Sequence, residues 1–253
     1  MFDDPYRSSA SARPSLASAT IERREYKYLI DEETALRIRD AAAPFCRLDE
    51  YGKREANGAY TISSVYYDTP GLDLYYANVR ELLDRFKIRV RSYPAYPEGP
   101  AFLEVKRRAN DVIAKTRGAV PKNALGGLLE LSANDLTQVA GKKHRAAVER
   151  FLALVHTHQA RPRTVVRYER EAWVSQIDSY ARVTFDRDVR CQPADDLTST
   201  PQPRQWRNND DAVSQRGGRS KVILELKFTS ATPSWMMHIV QSFDLFRAAF
   251  SKY

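Results

Sequence analysis

The sequence has few of the residues that carry common cofactor and catalytic chemistries. Only two cysteines and four histidines occur among 253 residues. Cys46 and Cys191 stand far apart and in no motif, which favours a reducing compartment and excludes a disulfide framework. His156 and His158 lie two residues apart on a predicted helix. They therefore point to different faces, which argues against a histidine metal site.

Long apolar runs and glycine-rich phosphate loops are also missing. No apolar run approaches the roughly 20 residues that cross a bilayer. Residues 1–20 lack a signal-peptide segment and contain Asp3 and Asp4, so we expect a disordered tail followed by one domain over 21–253 of a soluble cytoplasmic protein. A membrane-protein partner is then the route by which the chain could reach a membrane. No Walker loop, catalytic triad or RNA-binding signature occurs, which predicts no nucleic-acid partner.

Positive charge is what the chain has in excess. Its formal net charge is +8, charged residues make up 28% and hydrophobic residues 43%. The hydrophobic fraction is ordinary for a packed core. The cationic excess indicates an anionic partner, which composition leaves open among nucleic acid, an anionic membrane surface and phosphorylated small molecules.

Strand and helix patterns along the chain predict an α+β protein. Three helices are expected: one capped by Asp31 and ended by Pro44, one over 142–158, and one from Ser234, capped by Thr232, to near the C-terminus. Residues 192–220 are predicted to form a long mobile loop. Short links favour antiparallel pairing, because parallel crossovers need a dozen or more residues. Eight strands are predicted, at 21–29, 60–68, 85–93, 101–108, 112–120, 163–173, 180–189 and 221–229.

The strands repeatedly place charged side chains on the face opposite their apolar residues. Side chains alternate between the two faces of a strand, so Lys87, Arg89 and Arg91 share one face of 86–91. Five other strands show the same alternation. The residues that share one face of each of these strands are Glu25 and Lys27; Glu104, Lys106 and Arg108; Lys115 and Arg117; Arg182, Thr184 and Asp186; and Glu225 and Lys227.

Two architectures accommodate such a charged face. A sheet with one solvated face explains any single strand. Six such strands favour a closed eight-stranded antiparallel β-barrel, with helices packed outside and cations lining the lumen, because closure also removes exposed edge strands. Cations crowded into a lumen repel one another, so this barrel needs a polyanion or a metal-bound triphosphate for stability.

The order of motifs along the chain resembles the VTC domain, the catalytic domain of vacuolar transporter chaperone polyphosphate polymerases, which also occurs in standalone bacterial proteins. The resemblance covers about Ile21 to Tyr253 and implies a triphosphate tunnel fold, an eight-stranded antiparallel barrel around a basic tunnel. Relatives of this fold include CYTH-type triphosphatases and adenylate cyclases. The motifs are, in order, RREYKYLI, SVYYDTP, RFKIRVRSY, FLEVKRR, KTRGAV, VVRYEREAW, ARVTFDRDV, VILELKF and FSKY.

The resemblance also implies which residues form the site. Glu225 is the expected ligand of Mn²⁺ or Mg²⁺, and Glu25 and Glu104 are expected either to assist it or to orient neighbouring cations. The residues expected to act in catalysis are Arg89, Arg91, Lys106, Arg170 and Lys227. Those expected to bind substrate are Lys27, Lys115, Tyr168, Arg182 and Lys252.

The activity that the resemblance implies is polymerisation, with ATP and inorganic polyphosphate as partners. The end of a polyphosphate chain would attack the γ-phosphorus of ATP and release ADP. The first strand of CYTH-type triphosphatases carries E-x-E-x-K, whereas this chain has Arg23, Glu25 and Lys27 at those spacings. The missing acid disfavours activation of water. A triphosphatase on the same fold and a non-catalytic polyphosphate-binding module are the alternatives.

Overall fold

An antiparallel sheet flanked by helices forms the framework of the molecule. The computed structural model describes residues 24–109, 112–129, 136, 139, 141–178, 180–196, 203–211, 221–229, 231–248 and 250–253. The predicted tail at 1–20 and Arg23 lie outside them. The strands are β1 (Arg24–Ile30), β2 (Cys46–Leu48), β3 (Ala59–Asp68), β4 (Asp84–Ser92), β5 (Ala101–Ala109), β6 (Val112–Val120), β7 (Arg161–Ser175), β8 (Arg182–Pro193), β9 (Arg207–Asn208) and β10 (Val222–Phe228). The α-helices are α1 (Glu32–Ala42), α2 (Asp73–Val79), α3 (Leu125–Leu129), α4 (Lys142–Thr157) and α5 (Ser234–Ser242).

The eight predicted strands form one path of pairs in the order β1-β10-β8-β7-β3-β4-β5-β6. Each pair is antiparallel, so the α+β class and the pairing are confirmed. Two strands were not predicted: β2 pairs with β7 and β9 with β8. They span three and two residues, which is too short to show an alternating pattern.

The predicted full closure of the barrel is wrong. Strands β1 and β6 end the path, and the described residues show no pairing between them. The sheet is nevertheless strongly curled, because Lys106 of β5 and Glu25 of β1 lie near opposite ends of the path and their Nζ and Oε2 atoms are 3.7 Å apart. Ionic contact between side chains, rather than a main-chain ladder, brings the two ends of the sheet together.

The helices cover the outer face of the curled sheet. One apolar cluster packs α1 and α5 against β1, β8 and β10, with Ile38, Met236 and Leu224 fully buried. A second packs α4 against β4, β5 and β6 around Phe151 and Val148. This arrangement confirms helices outside and leaves the charged strand faces inside. No helix in the described part of the chain has the length and apolarity to span a membrane.

Helix boundaries confirm the first two helices and correct the third. Asp31 caps α1 by accepting a 2.8 Å hydrogen bond from the Thr34 amide, and α4 matches its predicted range within one residue. Pro233, not Thr232, is the N-cap of α5. This helix ends at Ser242, because Asp244 adopts φ +45° and the Leu245 amide bonds the Val240 carbonyl in a Schellman-type turn.

The chain after α5 turns back into the curled sheet. Arg247 forms a bridge with Tyr28 of β1, and the Ala248 amide donates to the Lys27 carbonyl at 2.9 Å. Phe246 is 84% exposed, whereas Phe250 and Tyr253 pack against a third apolar cluster that contains Tyr60, Tyr66 and Val166. The predicted extension of this helix to near the C-terminus, which would include Phe246 and Phe250, is therefore wrong. The segment 250–253 becomes part of the inner face.

The predicted loop at 192–220 is partly ordered by the sheet. β8 extends to Pro193, beyond its predicted end, and Arg190 and Cys191 pair with Asn208 and Arg207 of β9. Residues 197–202 and 212–220 of this prediction lie outside the described residues. Both cysteines are free thiols, and burial raises the pKa of the Cys46 thiol to about 12.

Candidate functional site

Charged side chains from seven strands and from the segment 250–253 meet on the inner face. Pairing places them there: Arg89 lies opposite Glu104, which lies opposite Arg117, while Lys27 lies opposite Glu225. The cations are Lys27, Lys87, Arg89, Arg91, Lys106, Lys115, Arg117, Arg170, Lys227 and Lys252. The carboxylates are Glu25, Glu104, Asp186 and Glu225. We call this set the inner-face cluster; its cations outnumber its carboxylates more than two to one.

Glu104 organises the half of the cluster formed by β4, β5 and β6. Its side chain is 2% exposed, and its Oε2 lies 2.7 Å from both Nε and Nη2 of Arg89. Its Oε1 lies 2.9 Å from Lys115 Nζ and 3.4 Å from Arg117 Nε. Burial raises the pKa of Glu104, but Arg89, Arg91 and Lys115 outweigh burial and hold it far below its usual range. Glu104 is thus an orienting partner of cations.

Asp186 organises the opposite half and was not predicted as a site residue. It is fully buried and accepts hydrogen bonds from Nε (2.6 Å) and Nη2 (2.7 Å) of Arg170. It also accepts one from Lys252 Nζ at 2.7 Å. Burial raises its pKa, and Arg170 and Lys252 outweigh burial to lower it to about 2. The sequence signal was its place on the charged face of β8. Such a bidentate pair fixes the plane of the guanidinium.

Tyrosines complete the lining, and one of them was missed. Tyr168, which was predicted, accepts Arg91 Nη2 at 3.3 Å, and Lys252 Nζ lies 4.7 Å from its ring centroid. Tyr66 was not predicted; its hydroxyl lies 2.9 Å from Arg89 Nη1. Burial raises the pKa of Tyr66, but Arg89, Arg91 and Lys87 outweigh burial and hold it at about 8.

Segment 250–253 satisfies lysines of the cluster with main-chain oxygens. Lys27 Nζ donates to the Phe250 carbonyl at 2.9 Å, and Lys87 Nζ donates to the Tyr253 main-chain oxygen at 2.8 Å and to Ser251 Oγ at 2.6 Å. These oxygens occupy positions that anionic oxygens of a ligand could take. Lys87 belongs to the site although it was predicted only as a member of the charged face.

The structure places all but one of the predicted site residues in the inner-face cluster or, for Tyr168, in contact with it. Arg182 is exposed at the first position of β8, opposite Lys227 and Val174. None of the ion pairs within the described residues includes it. The alternation of β8 is correct at Thr184 and Asp186, but at Arg182 the strand is only beginning and its side chain reaches solvent.

Two carboxylates of the cluster could hold a divalent cation. Glu225 Oε2 lies 2.7 Å from Lys227 Nζ and 3.6 Å from Arg170 Nη2, and Glu25 lies opposite Lys227 on the neighbouring strand. Burial raises the pKa of Glu225, but the cations Lys227, Arg170 and Lys27 outweigh burial and hold this pKa well below its usual range. The described residues hold no group of three or more metal-binding side chains. The Glu225 carboxylate, with Glu25 on the neighbouring strand, fits Mg²⁺ or Mn²⁺, which commonly bind one or two carboxylates together with substrate phosphates.

The affinity of the inner-face cluster for an anion is expected to depend on pH through Lys87. Burial lowers its pKa, Tyr66 raises it, and Lys27, Lys106 and Arg89 lower it further, to about 8. An anion binds the protonated amine, so affinity should fall as the pH rises from 7 to 9. The effect of pH on stability has the opposite sign. The pKa of Lys87 drops from 10.5 in the unfolded chain to about 8 in the folded one, so the unfolded state binds more protons between pH 8 and pH 10.5. The free energy of unfolding of the empty protein therefore increases as the pH rises through this range.

The measurement is titration calorimetry with long-chain polyphosphate at several pH values, for the natural chain and for Lys87→Gln. The difference between the two chains removes the titration of the ligand itself. The natural chain should bind more tightly than Lys87→Gln at pH 7, and this difference in affinity should become smaller by pH 9. A constant gap would contradict a neutralisation of Lys87 in this range.

Comparisons with known proteins assign the family and the fold. The VTC domain model matches residues 22–253, which is more than nine-tenths of the chain. The search of curated proteins found no match to this chain. Among solved structures, the chain is similar to a Bacillus halodurans protein described as a proposed adenylate cyclase, with TM-score 0.50 and 12% identity over 91% of this chain and 94% of that one. At this identity the likeness shows a shared fold alone.

Two further solved structures align less well. A Vibrio parahaemolyticus protein with the same description has TM-score 0.44 and 13% identity over 91% of this chain and 95% of that one. A protein of Pyrococcus horikoshii OT3 has TM-score 0.43 and 12% identity over 89% and 92% of the two chains. The family rests on the sequence match, which agrees with the order of motifs and with the curled antiparallel sheet. This chain belongs to the VTC domain family.

Proposed function

We propose that the chain is a polyphosphate polymerase that transfers the γ-phosphate of ATP to the end of a polyphosphate chain, within the curled sheet and with a divalent cation. The observation that carries the proposal is the inner-face cluster, in which many cations surround a small cavity lined by Tyr66, Lys87, Arg89, Glu104 and Lys106. Phosphoryl transfer needs little covalent chemistry from a protein. It needs in-line positioning and stabilisation of charge.

The arginines are suited to hold the transferred phosphate. Glu104 fixes Arg89, and Asp186 fixes Arg170, through paired contacts of 2.6–2.7 Å. A guanidinium that is already oriented loses little further freedom when it binds two phosphate oxygens. Arg91 lies on the same face as Arg89, and its Nε has no hydrogen-bond partner among the described residues. This buried Nε lies 3.9 Å from Glu104 Oε2, too far for a hydrogen bond, so its hydrogen-bonding capacity is unfilled.

The lysines are suited to hold the rest of the polyanion. Lys27 and Lys87 now donate to oxygens of Phe250, Ser251 and Tyr253, and phosphate oxygens would replace these acceptors. Lys106 and Lys115 are more exposed, at 42% and 43%. They can meet an incoming chain before it is desolvated. Lys252 is held by Asp186 and therefore stays inside the cluster.

Glu225, with Glu25 beside it, would hold Mn²⁺ or Mg²⁺. Such a cation neutralises phosphate charge and polarises the bond to the transferred phosphorus. The protein contributes an ionised carboxylate, kept so by Lys227 and Arg170. It also positions Thr184, whose hydroxyl lies 3.4 Å from Glu225 Oε2.

Replacing Glu225 with glutamine is expected to weaken the metal dependence of the reaction. The change keeps the shape of the side chain and removes the charge that a hard cation prefers. The Mn²⁺ concentration that gives half-maximal activity should rise at least about tenfold. Some metal binding should persist, because Glu25 and the substrate phosphates remain. Binding of metal-free polyphosphate should persist. An unchanged Mn²⁺ titration in this variant would exclude Glu225 as a ligand.

The reaction is tested by supplying ATP and Mn²⁺ and resolving the products by gel and by phosphate release. ADP formed in step with a ladder of long chains is the expected result. Free phosphate in step with ADP, and no ladder even with a short polyphosphate primer, would identify a triphosphatase instead. Tight polyphosphate binding with no turnover would identify a binding module.

A further inference from the structure

Helix α2 exposes aromatic side chains beside the inner-face cluster. Tyr75 is 38% exposed and Tyr76 is 45% exposed. Their rings meet edge to face at 5.3 Å, and the Arg80 guanidinium lies 5.5 Å from the Tyr76 ring centroid. We call Tyr75, Tyr76 and Arg80 the α2 aromatic face. The site described above makes no use of it.

A continuous series of rings connects this face to the phosphate-binding arginines. The Tyr75 ring lies 5.8 Å from the Tyr253 ring, which is stacked on Tyr66 with centroids 4.7 Å apart. Tyr66 in turn contacts Arg89. The main-chain oxygen of Tyr253 accepts from Lys87. The α2 aromatic face therefore lies at the end of the cluster that contains Lys87.

The position of α2 relative to the cluster is held by buried hydrogen bonds. Asp68, which is fully buried at the end of β3, accepts the amides of Leu74 at 2.9 Å and Tyr75 at 2.8 Å. Asp68 also accepts the hydroxyl of Tyr253. A shared buried acceptor thus fixes the Tyr75 ring against the inner face. Its solvent-facing side is preorganised for a planar ligand.

We infer that the α2 aromatic face binds the base of the nucleoside triphosphate whose phosphates lie in the inner-face cluster. The inference deepens the proposed function and rests on it, since it concerns the donor of that reaction. Aromatic side chains bind any base through its π face, and a nearby arginine adds a cation–π contact. Phosphates held near Lys87 and Arg89 place the nucleoside at this end of the cluster. Recognition by stacking should tolerate different bases and should add affinity only for ligands that have a base.

The test compares a ligand that has a base with one that lacks it. Binding of ATP and of inorganic tripolyphosphate is measured by calorimetry for the natural chain and for a Tyr75→Leu, Tyr76→Leu double variant. Leucine keeps apolar volume and removes the π face. Affinity for ATP should fall about 5- to 150-fold, the range for loss of one stacked base, and affinity for tripolyphosphate should change less than about twofold. Phenylalanine at both positions should retain ATP affinity.

Leu83→Ala is the matched control, because Leu83 is 73% exposed on the segment after α2 and is not part of the aromatic face. It should leave both affinities unchanged. Equal losses of ATP and tripolyphosphate in the leucine variant would overturn the inference, because the rings would then only support the cluster. Unchanged ATP affinity would also overturn it. Selective loss of ATP binding in a chain that makes no polymer would support the base site while the polymerase proposal fails.

Discussion

Replacing Arg89 or Arg91 with alanine is expected to lower turnover by about two to three decades, as for loss of a preorganised donor to the transition state. Arg89 is held by Glu104 and Tyr66 in a fixed orientation. Arg91 lies two residues further along the same face of β4, with its Nη2 on the Tyr168 hydroxyl. Neither guanidinium belongs to the apolar clusters that bind the helices to the sheet, so the chain should remain folded.

The measurement is the steady-state rate with ATP, Mn²⁺ and a polyphosphate primer, together with a thermal unfolding curve. Arg107→Ala is the control: Arg107 lies on β5 and forms an exposed ion pair with Asp84, and such pairs contribute little. Arg89→Lys should recover only part of the rate, because lysine keeps the charge without the two-pronged geometry. A normal rate in Arg89→Ala and Arg91→Ala would remove both residues from the site.

Replacing Glu104 with glutamine is expected to destabilise the empty protein by about 3 kcal/mol, the lower end for breaking a buried ion pair. Four cations lie within 3.9 Å of this carboxylate, and the neutral amide would leave them to repel one another. Lys115 and Arg117 are about 40% exposed, so water screens their part of the repulsion. Arg89 and Arg91 are more buried and account for most of the loss.

Polyphosphate should restore much of that stability, because an anion that binds only the folded state shifts unfolding by mass action. Chemical denaturation with and without polyphosphate measures both effects. Asp84→Asn removes an exposed carboxylate from the neighbouring strand and should change stability by less than about 0.5 kcal/mol. Glu104→Gln with natural stability would show that Glu104 does not balance the cations.

Much of the site could be predicted from local pattern. The alternation of Lys87, Arg89 and Arg91 in β4 follows from the period of a strand. Pairing in register then places Glu104 beside Arg89 and Arg117 beside Glu104. The cap at Asp31 is equally local, because a side chain and an amide three residues away decide it. The family was also accessible, since the order of its motifs is a property of the chain alone.

Two residues whose roles depend on distant partners, Asp186 and Tyr66, were missed, and Arg182 lies at an exposed position. Asp186 acts through its contacts with Arg170 and Lys252, which lie 16 and 66 residues away in sequence. Tyr66 contacts Arg89 and stacks on Tyr253, and neither contact can be read from the strand pattern. Arg182 matched the alternation, but the strand begins there and the side chain reaches solvent.

The sequence by itself determined the eight long strands, the charge of their inner faces and the family, because side-chain alternation and motif order are encoded over short distances. Only the tertiary structure decided how the cations are balanced and where the chain goes after α5. The apolar spacing of Phe246 and Phe250 would suit a helix. Asp244 instead turns the chain, and segment 250–253 offers oxygens to Lys27 and Lys87. Buried ammonium groups require acceptors, and only the folded sheet brings these groups together.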